Sequence, residues 1–482
     1  MQRRTFLTGT ALGITAAALP TVNARAATSK TVTSLTALQT AINTAGPGDV
    51  ITVANGTYAV PDSAPITVQG RHGTNKDVPI TIVAQSRGGV VLTGKQSFVF
   101  SDSSWVTISG FAFRQSTTLE VPTSCTGIRL TRNDFQLADI SGLHWVMIRG
   151  NDSKIDRNHF HNKSQLGIML GVEGEPPVNG DGDIATGVVI FKNYFSDHSF
   201  TGDNGGEPIR LGVSPYALST AGATVELNLF ERCNGDPEAI SVKSSGNFVR
   251  RNTIRDSKGG IVLRHGNSTT VDSNWILDGE EGIRIYGNNH VIANNYVSGL
   301  SGTALIIGSG SERDHLPGEP STSRTGNDAP DGVTVVHNTL RNNAKTLAGE
   351  PQRTEEPRDC VVADNLLVGD SGTLVAMATT VRFTWQSNIL FGAATDGNIP
   401  AATYTRTDPK LVTGSDGIAR LSAGSPAIGQ ATFQPAQSMP PLAYDIQGDP
   451  RGTTRDVGCD EYSTATALYR PLTPADVGPN AA

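Results

Sequence analysis

Cysteine is scarce in this chain: Cys125, Cys233, Cys360 and Cys459 stand far apart in 482 residues. No CxxC or Cys/His metal spacing occurs among them, so cysteine-based zinc or dithiol chemistry is excluded as the function. One or two disulfides and buried free thiols both fit the spacing, and Cys233 falls in a strand-like stretch. Aromatic residues make up only 6%, which suits a narrow bore filled by Val, Ile, Leu and Ala. Beyond the N-terminus no apolar run approaches the roughly 20 residues of a membrane helix. The net charge of −7 gives no overall basic footprint. Neither membrane nor nucleic acid is therefore expected as a partner.

What the chain has is repetition. Ten segments share an asparagine, one variable residue, then an aromatic or aliphatic residue. They begin at Asn133, Asn158, Asn193, Asn228, Asn252, Asn274, Asn295, Asn338, Asn365 and Asn388. Successive asparagines are 25, 35, 35, 24, 22, 21, 43, 27 and 23 residues apart. A period in the low twenties is too short for helix-pair repeats and fits one coil of a parallel β-solenoid. Each asparagine then occupies an internal turn, its amide bonding the equivalent amide one rung away. The 53 glycines serve the several tight turns of every coil. The fold class expected is all-β, a single-stranded right-handed parallel β-helix, with one rod absorbing most of the chain.

The N-terminus carries Arg3-Arg4-Thr5-Phe6-Leu7, an apolar stretch from Ala11 to Leu19, and Ala24-Arg25-Ala26. Residues 1–26 are accordingly read as a twin-arginine signal peptide, making the mature protein secreted or extracytoplasmic. Residues 34–45 place Leu35, Leu38, Ala41 and Ile42 on one helical face behind a Ser34 N-cap, a natural plug for the open end of a solenoid. The β-helix with its cap is assigned to residues 27–400, and the Pro-rich segment 401–482 to the C-terminal end of the rod. The polar segment 308–332 reads as a loop near or over a binding groove, and 165–187 as a similar insertion. A monomer is expected.

Four coils align on their hydrophobic pairs Ile209/Leu211, Ile240/Val242, Ile261/Leu263 and Ile283/Ile285. With those pairs inward, one outward column is Gly212, Lys243, Arg264, Tyr286, and its neighbour is Arg210, Ser241, Val262, Arg284. His265 follows Arg264. At the start of the same strands lie Asn204-Gly-Gly-Glu207 and Asp236-Pro-Glu238. Stacked carboxylates repel unless a cation bridges them, and Asp, Glu and Asn oxygens suit Ca²⁺. Basic residues concentrated in two coils of an acidic chain point to an anionic ligand across the rungs.

These residue types match β-elimination on a uronic-acid polymer. A cation neutralises the uronate carboxylate, a base removes the weakly acidic C5 proton, and the departing O4 needs a proton or positive charge. Asn204, Asp236 and Glu238 would hold the metal, Lys243 would be base, and Arg264 with His265 would assist departure. Arg210, Arg284 and Tyr286 would contact substrate. A straight strand separates Glu238 from Lys243 by roughly 16 Å, so the chain must bend or the site must be long. Taken alone, an outward Lys or Arg is more often a solvated residue, and Asp236 and Glu238 are turn caps as readily as ligands. His290 and His161 read as structural or solvent-facing.

The runs Asn204-Gly-Gly-Glu-Pro-Ile-Arg-Leu-Gly212, Glu238-Ala-Ile-Ser-Val-Lys-Ser-Ser245, Arg264-His-Gly-Asn267 and Gly282-Ile-Arg-Ile-Tyr-Gly287 resemble polysaccharide lyase family 6. That family contains alginate lyases and chondroitinase B. The resemblance implies a right-handed parallel β-helix and Ca²⁺-assisted β-elimination, with Lys243 as base, Arg264 as acid, and Asn204, Asp236 and Glu238 as calcium ligands. One departure is Asp236, where the family usually has glutamate. The implied function is a secreted lyase acting on alginate, with dermatan sulfate as the alternative polymer. A non-catalytic polysaccharide-binding β-helix is the rival from another class. A polygalacturonase-type hydrolase is a third, and it would leave the Lys/Arg column unexplained.

Overall fold

The computed structural model describes residues 26–175, 183–351, 353–435 and 439–482. The signal peptide read over residues 1–26 lies, apart from Ala26, outside them. Three long parallel sheets run along a right-handed β-helix, and most coils give one short strand to each. The first sheet has 14 strands, from Ser29–Val32 to Thr384–Gln386. The second also has 14, from Gly56–Val60 to Tyr404–Arg406, and the third has 11, from Leu119–Val121 to Thr395–Gly397. One apolar cluster fills the bore from Val32 to Ile399.

The turn between first and second sheets explains the asparagine repeat. In each of the ten coils the residue before the asparagine is left-handed, as at Arg157 (φ 55°), Leu227 (φ 56°) and His337 (φ 54°). That conformation costs an L-residue free energy, so something must hold it. All ten asparagines are buried. From Asn133 to Asn365, each backbone N–H donates to the Oδ1 of the next asparagine at 2.9–3.0 Å. The Nδ2 of Asn158 donates to Asn193 Oδ1 and to the Leu130 carbonyl of the preceding coil. Buried amides are thus satisfied by identical neighbours. Beside them Phe113, Phe135, Phe160, Phe195 and Phe230 stack at centroid spacings of 4.6–4.9 Å.

The cap helix forms over Leu35–Thr44, with Ser34 Oγ accepting from Ala37 N and Leu38, Ala41 and Ile42 buried. Gln39 adds a contact that the helical pattern does not contain. Its amide accepts from Thr67 N at 2.8 Å and donates to Thr67 O at 2.9 Å, as a neighbouring strand would. A side chain thereby blunts the edge strand Ile66–Gln69. All four cysteines are buried and free.

Segment 165–187 is not simply an insertion. Leu170–Val172 within it is a rung of the third sheet, paired with Val146–Ile148 and Ile209–Leu211. Beyond Arg406 the rod stops and the chain turns back outside the ridge between first and second sheets. Asp364 accepts from Thr432 N, His337 bonds the Asp456 carbonyl, and Asn294 donates to Pro441 O. Further back, Arg251 lies 4.2 Å from the Tyr469 ring and Arg132 donates to the Pro479 and Ala481 carbonyls. Several of these side chains belong to the left-handed residues before the ladder asparagines, so one outward column holds the returning segment.

Candidate active site

The third sheet carries the aligned pairs in register: Ile209 with Ile240, Ile240 with Ile261, and Ile261 with Ile283. All are buried. The column Arg210, Ser241, Val262, Arg284 also forms as read. The column through Lys243 needs correction. The register slips between Val242 and Lys243, so Lys243 is level with His265 rather than Arg264. A second slip lies between Glu238 and Ile240. These irregularities re-aim the side chains at the two ends of the strand Glu238–Lys243.

At the upstream end three carboxylates gather. Asp236 closes an Asx turn, its Oδ1 accepting from Glu238 N at 3.0 Å, while its Oδ2 accepts from Gly206 N at 3.2 Å on the neighbouring rung. A Cβ on Gly206 would lie 2.3 Å from the Gly235 carbonyl oxygen, so only glycine allows this approach. Burial, with the Glu207 and Glu238 carboxylates close by, pushes Asp236 up to about 7. Glu238 Oε2 accepts from Ser241 Oγ. Glu207 is 1% exposed, and its Oε2 has no hydrogen-bond partner.

Glu207 also reaches the other end of the strand. Its Oε1 lies 3.3 Å from Lys243 Nζ, whose side chain is 13% exposed. Sequence reading assigned Glu207 no role, although it ends the Asn-Gly-Gly-Glu motif. Asn204, three residues before it, is exposed. The donor set suits a hard divalent cation: a partnerless buried oxygen, mutual repulsion among three carboxylates, and one ammonium to offset them. These carboxylates do not bring three ligand atoms within 4.8 Å of one another. An ion there would draw further ligands from water or substrate.

Arg264 is held from outside its own coil. Asn327, in the 308–332 segment, accepts from Arg264 Nη1, and the guanidinium lies 5.9 Å from the Tyr286 ring centroid. The segment is anchored by buried Arg324, which donates to the Pro215 and Leu316 carbonyls. Tyr286 is buried, its hydroxyl donating to Glu350 at 2.9 Å and accepting from Arg353 at 3.2 Å. A Cβ on Gly308 would lie 2.4 Å from that ring. His265 is buried beside Lys243, level with it on the adjacent rung. It is 2% exposed, its Nε2 is 2.9 Å from Ser214 Oγ, and burial, with Arg264 and Lys243 nearby, pushes it down to about 3. A neutral buried imidazole holds no spare proton for a leaving group at neutral pH.

Arg210 and Arg149 clamp Glu173 at 2.9 and 3.1 Å. Arg284 pairs with Glu281 at 3.2 Å, and the Nε atoms of Arg210 and Arg284 are buried without a partner. Guanidiniums with an orphaned N–H beside a groove can take up a carboxylate. Asn327, Glu350, Arg353 and Ser214 escaped sequence reading because they lie in loops with no period. Only the fold brings them to the third sheet.

The chondroitinase B family profile matches residues 32–380. No curated protein matches the chain. Among solved structures it is similar to the PL6 family alginate lyase AlyGC, at 25% identity and a TM-score of 0.72. That alignment covers 93% of this chain and 60% of the lyase, so the chain spans about 60% of the length of that relative. It is also similar to a PL6 family polysaccharide lyase from Pseudopedobacter saltans, at 26% identity and TM-score 0.60, covering 77% of this chain and 93% of the other. A mannuronic acid specific family 6 lyase from human gut microbiota aligns at 24% identity and TM-score 0.67, over 77% and 87% of the two chains. At that identity it speaks for the fold alone.

Proposed function

The chain belongs to the chondroitinase B family, within polysaccharide lyase family 6, and from that premise we propose that it cleaves alginate by β-elimination. The products would be oligosaccharides with a 4,5-unsaturated end. The reading is carried by one observation: a partly exposed lysine, Lys243, bonded to Glu207 beside two further carboxylates, with Arg264 on the adjacent rung. The similarity to AlyGC favours alginate among uronate polymers.

In this mechanism Lys243 is the base that takes the C5 proton. The electron pair forms the C4–C5 double bond and the C4–O4 bond breaks. Glu207, 3.3 Å away, holds the resulting ammonium. The ammonium then returns its proton to O4, while Arg264, steadied by Asn327, faces the negative charge developing there. His265 contributes by position, filling the space behind Lys243. Arg210 and Arg284 bind flanking uronate carboxylates. A Ca²⁺ ion held by Glu207, Asp236 and Glu238, with Asn204 as a further oxygen ligand, would neutralise the uronate carboxylate and acidify C5. Export through the twin-arginine signal would put the enzyme where its polymer is, as a monomer.

Ultraviolet absorbance during incubation with alginate and, separately, dermatan sulfate tests the proposal, with and without a calcium chelator. Absorbance that rises on alginate, falls on chelation and vanishes in Lys243→Ala supports substrate, metal and base together. A rise on dermatan sulfate alone reassigns the polymer. New reducing ends without absorbance mean hydrolysis and overturn the lyase reading, and binding without cleavage favours a non-catalytic solenoid.

A further inference from the structure

The outer face of the second sheet holds a cluster that this chemistry does not use. Asp134 and His159 are level on adjacent rungs, and His161 lies two residues further along the same face. One ligand atom from each falls within 4.8 Å of the others, the only such group of three His, Cys, Asp or Glu among the described residues. His161 Nε2 is 3.0 Å and His159 Nδ1 is 4.0 Å from the same oxygen, Asp134 Oδ2.

The surroundings orient each donor. His159 Nε2 is 3.0 Å from Ser196 Oγ, which leaves Nδ1 to face the aspartate. The His159 ring is stacked between His161 at 4.2 Å and Tyr194 at 4.5 Å, and the Tyr194 hydroxyl is bonded to Glu231. Arg114 pairs with the other aspartate oxygen, Oδ1, and so leaves Oδ2 free to ligate. Such outer partners are what fix metal-binding imidazoles and carboxylates. Burial, with His161 adjacent, holds His159 down at about 4. Asp134 stays at about 2: burial would raise it, but hydrogen bonds and charge from His161 and Arg114 outweigh that.

We propose that Asp134 Oδ2, His159 Nδ1 and His161 Nε2 bind a divalent transition-metal ion of the zinc class, stapling two neighbouring rungs on the face away from the lysine and carboxylates. Two imidazoles with one carboxylate select such ions over Ca²⁺, which takes oxygen ligands. Binding requires the His161 ring, stacked on His159 with the planes 26° apart, to turn so that the two lone pairs meet at the ion, with its N–H on Nδ1 and water in the open positions.

The test uses the full chain, stripped with chelator and dialysed, then titrated with Zn²⁺ by calorimetry and with Co²⁺ by visible absorption. The expected result is one equivalent of each ion, cobalt d–d bands, and a Tm raised by a few degrees with Zn²⁺. His159→Ala and, more conservatively, His161→Gln each abolish the bands and the shift while leaving the metal-free Tm nearly unchanged. No uptake by the wild type overturns the proposal, as does equal uptake by both variants, which would assign the ion elsewhere. Because the readout is binding, it stands whether or not the chain proves to be a lyase.

Discussion

Lys243 Nζ lies 3.3 Å from Glu207 Oε1, although the strand register puts their backbones about five residues apart along the rung. Five extended residues span roughly 16 Å, more than the two side chains and the contact between them can bridge, so the backbone must bend between the two positions. Glu207 thereby joins the carboxylate end of the site to its lysine end.

Removing either partner should be costly. Lys243→Ala is expected to lower kcat on alginate by at least ~100-fold, the usual contribution of a positioned base. Glu207→Gln keeps the shape but loses the charge, and should lower kcat and weaken calcium dependence together. Initial rates across a calcium titration separate the two effects.

Arg264 depends on a residue from another coil. Asn327→Ala frees the guanidinium and should lower kcat by roughly 10- to 100-fold, as mispositioned groups do. KM should change less, and thermal unfolding should be close to wild type.

The asparagine ladder predicts a stability effect far from any chemistry. Asn252→Ala removes the acceptor of both Asn228 N–H and Asn228 Nδ2, which are buried. Stranding the Asn228 N–H, and leaving Nδ2 only the Ile190 and Glu226 carbonyls, is expected to cost about 2 kcal/mol. Urea unfolding of the variant, read as a lower midpoint at unchanged slope, checks this.

Acid should stabilise one site. Burial pushes Asp272 up to about 6, even though it accepts from Asn294 Nδ2 and Ser273 Oγ. A carboxyl raised above its unfolded value contributes stability that is complete below about pH 4 and is lost as pH rises through 6. The full difference is roughly 3 kcal/mol. Asp272→Asn should flatten that part of the stability profile, measured by denaturant unfolding at a series of pH values.

Much of this was legible because a solenoid repeats itself. The asparagine spacing foretold the ladder, and the four hydrophobic pairs foretold the third-sheet register residue by residue. The capping helix followed from Ser34 and a 3.6 period. Legibility stopped where periodicity stopped. The slip after Val242 moved Lys243 level with His265, and a bulge leaves no mark in an alternation of one charged and one apolar residue. Burial of His265 depends on Ser214 and the 308–332 segment, which no pattern ties to it. Glu207 was visible in its motif, but its bond to Lys243 depends on the bend between them. His161 read as structural or solvent-facing, and its bond to Asp134 was not visible because Asp134 lies on another rung.

The returning C-terminal segment changes how the whole rod should come apart. A bare stack of coils couples only nearest neighbours and frays from whichever end is weaker. Here Arg132 holds the carbonyl of Pro479, 347 positions away, while Asp364 holds Thr432 near the far end of the array. Opening early coils must also release a segment fastened to late ones. A linear array is thereby closed into a loop of contacts, and unfolding should be a single cooperative transition instead of a peeling of coils.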